Sequence, residues 1–206
     1  MKLLLQMILV TTTLAASSTL AFSPDHLKKL KDTNQCVNCD LVHADLTGAK
    51  LTGANLSRAN LNFSKLSNVN LNDAKLIGAK LTLAELNDAK LRNADLTGVH
   101  LNLSNLKSSD LTDTKLSNSE LIQTDLSQAD LSYSDLTNAK MVNANLKQAD
   151  LTGANLIGAI LVGAILVGAD LTGANLTGAT LKDTQVTSSI LCNTTMTDGS
   201  VIDSGC

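Results

Sequence analysis

The chain has 206 residues, 44% of them hydrophobic, enough for one domain with a sizeable core. Aromatics make up 1%, with one Tyr, two Phe and no Trp, which excludes a core built on aromatic packing. A formal net charge of -3 and a single Pro exclude a basic nucleic-acid-binding surface, an acidic tail and a Pro-rich or collagen-like chain.

The N-terminus reads as an export leader over residues 1–21. Lys2 gives a short positive region, Leu3 to Leu14 a mainly apolar one, and Thr19-Leu20-Ala21 places small residues around a cleavage site. Cleavage is expected after Ala21, with Ala16 as the alternative. The apolar stretch falls short of the ~20 residues that span a bilayer, and Thr11 to Thr13 interrupt it. No membrane span is therefore expected in the mature chain. The destination is periplasm, thylakoid lumen or the extracellular space.

Residues 22–35 are predicted to hold a short capping helix. Ser23 suits the N-cap, Pro24 the first helical position, Asp25 the positive end of the dipole and the following lysines the negative end. Leu27 and Leu30 share one face. So short a helix is marginal alone and needs an apolar surface to lie on.

Residues 36–206 form the main body, with a C-terminal cap expected from about 182 to 206. From Leu41 to Val201 a large aliphatic residue occupies every fifth position. Leu fills 29 of these 33 positions, and Met141, Val186, Met196 and Val201 fill the rest. Two residues before each sits a small residue, usually Ala, otherwise mostly Ser or Thr as at Ser104, Ser109 and Thr124. A period of five suits neither a straight helix nor a straight strand. On a helix, five steps rotate a side chain by ~140°, and on a strand an odd step flips its face. The chain must bend once per five residues. The small residue, its successor and the Leu make a three-residue strand, and the next two residues make a corner. The second corner position needs a residue that tolerates positive φ. From residue 43 to residue 203 it holds ten Gly, six Asn and six Asp.

These Ala-Asp-Leu-Thr-Gly and Ala-Asn-Leu-Thr-Gly units resemble the pentapeptide-repeat family over residues 40 to about 203. The resemblance implies an all-β solenoid, a right-handed quadrilateral parallel β-helix of about eight coils with four pentapeptides each. The segment from Thr33 to Leu41 also resembles the entry of exported cyanobacterial members, which implies periplasm or lumen. Four units per coil would stack residues 20 apart. Lys75, Asp95, Lys115 and Asp135 then alternate in sign down one column.

The four cysteines of an exported chain point to disulfides. Three pairings are possible. Cys36–Cys39 and Cys192–Cys206 are expected, because each pair lies near one end of the rod. A thiol–disulfide redox role for Cys36 and Cys39 is the rival reading, yet the βαβ context of that motif is missing. A haem motif would need His where Asp40 stands, and a zinc site finds only His43 nearby. His26, His43 and His100 have no plausible nucleophile and orienting acid beside them. No catalytic site, cofactor or enzyme activity is expected.

Two surface features remain. Asp110, Asp130, Asp150 and Asp170 would form an acidic column, a weak candidate for binding a cation or small ligand. Phe63, Leu83 and Leu103 would form one outward apolar column, and Ile122, Val142 and Val162 another on the same side, with Ile160 and Ile165 adding to it. A contiguous apolar patch marks a surface for a protein partner or for self-association. Some members of the resembled family mimic duplex DNA and inhibit gyrase. This chain is barely acidic and carries a leader, so it departs from that pattern, and no nucleic-acid partner is expected. The expected function is a non-enzymatic, rod-shaped interaction module that uses its apolar face.

Overall fold

The protein is described by a computed structural model over residues 23–203 and Cys206. The expected leader lies outside the described residues. Helix α1 (Pro24–Thr33) starts where its capping chemistry directs. Ser23 Oγ accepts from the His26 amide at 3.4 Å, and Asn34 closes the helix at φ 58° with its amide donating to Leu30 O at 2.9 Å. Leu30 is buried against the end of the main body, with Leu27 packed beside it. His26 Nδ1 accepts from the Asp40 amide at 3.0 Å, which ties the helix to a strand of the first coil.

From Gln35 to Thr195 the chain forms a solenoid in which every fifth residue, the middle of each three-residue strand, pairs in parallel with the one 20 positions on, as far as Asn175 with Thr195. Asp110, for example, bridges Asp130: the Leu111 amide donates to Asp130 O at 2.7 Å, and the Asp130 amide donates to Ser109 O at 2.9 Å. Each three-residue strand is followed by a β-turn. The Thr114 amide donates to Leu111 O at 3.2 Å, and Asp113 in the turn has φ 57°. The same second corner position has positive φ from Asn38 through Asn193, as the turn composition predicts. Four strands and four corners therefore close one coil. The leucines and the small residues point inward and fill the tube, from Cys36 and Leu41 to Leu176 and Ala179.

Buried hydroxyls at the small position bond back to the backbone. Ser109 Oγ donates to Leu106 O at 2.7 Å, and Thr124 Oγ1 reaches across a coil to Leu101 O at 2.7 Å. Ser119 Oγ and Ser134 Oγ are buried without a partner.

The C-terminal end corrects the sequence reading. The inward series does not run to Val201. Strands β1 (Thr194–Thr195) and β2 (Val201–Ile202) form an antiparallel hairpin, with Thr195 opposite Val201, and Val201 is 56% exposed. The cause is the Asp198-Gly199 turn. Gly199 takes φ 84°, its amide donates to Met196 O, and the Met196 amide donates to Ser200 O. The chain doubles back where another coil would have begun. Val186, in a core position, is consequently 45% exposed.

Candidate functional site

The corner residues decide what the solenoid displays. Phe63, Leu83 and Leu103 occupy the second corner position in three successive coils, with φ of 59°, 59° and 61°. Each is nearly half exposed. The His43 ring stacks on Phe63 with centroids 4.9 Å apart. The Leu103 amide donates to Ile122 O at 2.9 Å, the Gln123 amide to Val142 O and the Asn143 amide to Val162 O. Ile122, Val142 and Val162 are half-buried at the first corner position of the same edge. The two predicted columns thus join into one stripe along a single edge. Ile160 and Ile165 lie on the strands either side of Val162 and widen the stripe at that end. All eight of these apolar residues lie on this edge or on the strands that flank it.

Polar groups flank this edge. On one side, Lys80, His100, Glu120 and Lys140 follow one another in register. His100 Nδ1 donates to Glu120 Oε2 at 2.9 Å, and Lys140 Nζ donates to Oε1 at 3.1 Å. Hydrogen bonds from His100, Lys140 and Asn102 outweigh partial burial and push the Glu120 carboxyl down to about 2. The sequence reading missed this ladder, although the 20-residue spacing of 100, 120 and 140 was available to find it.

The predicted acidic column exists, with Asp110, Asp130, Asp150 and Asp170 paired in file on another side of the solenoid. Each carboxylate is turned onto its own corner. The amides of Thr112, Ser132, Thr152 and Thr172 donate to it at 2.8–3.1 Å. Arg92 Nε lies 3.8 Å from Asp110 Oδ2. At Asp130 burial opposes ionisation, but the Ser132 and Thr112 hydrogen bonds and the Arg92 charge prevail and hold the carboxyl below its ordinary value. Among the described residues, no three or more His, Cys, Asp or Glu side chains gather into a metal-binding group. The alternating file of Lys75, Asp95, Lys115 and Asp135 is in register but makes no ion pair among the described residues.

Cys36–Cys39 and Cys192–Cys206 are disulfides, at opposite ends of the solenoid. Cys36 and Cys39 are buried in the core. A shallow groove of about 260 Å³ lies between Lys107 and Lys147, lined by Ser127, Gln128, Asn145 and Gln148, and contains none of the predicted residues. No described helix is long and apolar enough to cross a membrane.

The profile of the pentapeptide repeats matches this chain in eight copies, over residues 35–73, 70–107, 109–148 and 149–185. No curated protein matches the chain. Among solved structures, the chain is similar to HetL, a pentapeptide repeat protein involved in heterocyst differentiation regulation from the cyanobacterium Nostoc sp. strain PCC 7120. That similarity has 29% identity and a TM-score of 0.54, and covers 88% of this chain and 99% of HetL. It is also similar in fold to QnrB1, a plasmid-mediated fluoroquinolone resistance protein, at 18% identity and a TM-score of 0.58, over 77% of this chain and 81% of that one. On the repeat match and the coil geometry together, the chain belongs to the pentapeptide repeat family.

Proposed function

We propose that this protein is a non-enzymatic interaction module that works outside the cytoplasm and docks a protein along its apolar edge. In this reading residues 1–21 are removed as a leader, α1 caps the first of about eight coils, and the residues after about 182 cap the last. The periplasm or thylakoid lumen is the compartment, and the two disulfides suit an oxidising space.

The observation that carries the proposal is the cost of Phe63, Leu83 and Leu103. Each holds a large side chain in the left-handed region, which costs roughly 1–2 kcal/mol relative to Gly. Each also exposes 44–48% of its surface to water. Neither burial nor turn geometry accounts for three such residues in successive coils. Strain kept at an exposed apolar row is the mark of a working surface.

The test is cross-linked affinity capture from the exported compartment of the source cells, with the parent and a Leu83→Glu/Leu103→Glu variant as baits. A protein captured by the parent and lost with the variant supports the edge as the docking site. Identical capture by both baits overturns it.

A further inference from the structure

The apolar edge repeats once per coil, and that period constrains what can lie on it. Successive stripe residues are one strand spacing apart, ~4.8 Å. A helix lying along the edge presents residues every ~5.4 Å and drifts by about 3.6 Å over the six steps from His43 to Val162. An extended strand presents one face every ~6.7 Å and drifts further. A second solenoid of the same kind stays in step throughout.

The flanks add a second constraint. Lys80 and Glu85 stand on opposite sides of Leu83, both exposed, and neither is paired within the described chain. Ile160 and Ile165 stand on opposite sides of Val162. A two-fold axis parallel to the rod would set each left flank against the other copy's right flank in the same coil. Lys80 then meets Glu85, Ile160 meets Ile165, Asn60 meets Lys65, and Lys140 meets Asn145. Two coils oppose this. Asp40 would face Asp45, and Glu120 would face Asp125, although Glu120 already holds His100 and Lys140 and Asp125 accepts from Asn145. An antiparallel arrangement centred on Leu103 sets Lys80 against Glu120 but Glu85 against Asp125, and it loses the apolar match, because Ile160 then faces Asp40 and Ile165 faces Asp45.

We propose that the apolar edge is covered by a second copy of this chain, lying side by side and parallel, with Leu83 on Leu83 and Lys80 of each copy facing Glu85 of the other. The proposal rests on the docking reading of this edge and names its occupant. The stripe is long and narrow, so the contact falls at the small end of specific interfaces and the dimer is concentration-dependent.

Sedimentation velocity of the purified protein, from about 5 to 500 μM, tests it in the range of weak association. The parent shifts from monomer to dimer as concentration rises. Leu83→Glu/Leu103→Glu weakens association at least tenfold. Lys80→Glu alone weakens it several-fold, and Lys80→Glu/Glu85→Lys restores it. Orientation is read from a spin label on Lys182→Cys, by the distance between labels in the dimer. Parallel copies bring the labels within about 20 Å, whereas antiparallel copies hold them about 38 Å apart, eight strand spacings. A long distance, or a double charge swap that fails to restore association, overturns the proposal. A chain that stays monomeric throughout yet captures a different protein through Leu83 and Leu103 overturns self-association and leaves the docking reading standing. A chain that does neither overturns both.

Discussion

Leu83 and Leu103 sit where most corners carry Gly, Asn or Asp. Replacing either with Asn keeps the left-handed backbone and removes an exposed apolar side chain. Leu103→Asn is expected to stabilise the fold by about 0.5–1 kcal/mol while weakening association, read from denaturant melts beside the sedimentation assay. A residue retained only for folding would not show that opposition. The buried hydroxyls make a second contrast. Ser119 and Ser134 each bury an oxygen without a partner, whereas Ser109 donates to Leu106 O. Ser119→Ala is expected to be neutral or stabilising by up to about 1 kcal/mol, and Ser109→Ala to cost about 1 kcal/mol. Equal losses at both sites in urea melts would refute the difference.

Among the elements, the column through His100, Glu120 and Lys140 ties three coils together through hydrogen bonds to one carboxylate. Glu120 ionises at about 2 when folded and near 4.5 when unfolded, so its charge contributes stability above pH 4.5. That contribution is lost as pH falls through the folded value. Glu120→Gln should therefore be less stable than the parent at neutral pH, with the gap closing as pH falls from 4.5 to about 2. Melts in which the gap persists at pH 2 would disprove this. The corners and the core were legible because one period fixes both: Leu111 inside and Asp113 at positive φ follow from the same count of five. The hairpin was not read, because Val201 and Asp203 keep that count. Asp198-Gly199, a turn signal in its own right, competes with the repeat and wins where no further coil follows. The apolar edge was legible as columns. That the two columns share a side was legible too, and the backbone added the junction, where the Leu103 amide donates to Ile122 O and the stripe changes corner position. The partners of Ser104 and Thr124 also needed coordinates, because one bonds within its corner and the other across a coil.

In the whole molecule the two ends differ. The first coil is closed by Leu30 and by Cys36–Cys39, whereas three sides of the last coil have no strand beyond them. The amides of Leu181, Asp183, Val186, Ser188, Leu191 and Asn193 have no backbone acceptor among the described residues, unlike their counterparts one coil earlier. Hydrogen exchange should therefore run fastest in the last coil and slow steadily toward the middle. Breaking Cys192–Cys206 with a reductant should spread that fast region inward from the C-terminus. Uniform protection along the rod would contradict this gradient.

The unbroken count of five makes length a quantised property of this molecule. One residue lost from a strand would turn every downstream leucine outward until a corner absorbed the slip. Twenty residues gained restore every side, every corner and every column. A duplicated coil would lengthen the rod by a single strand spacing, ~4.8 Å, without disturbing what lies above or below. Such a chain is a ruler graduated by its own backbone. Where the extra coil falls decides whether the row from Phe63 to Val162 grows longer or is parted by a blank division.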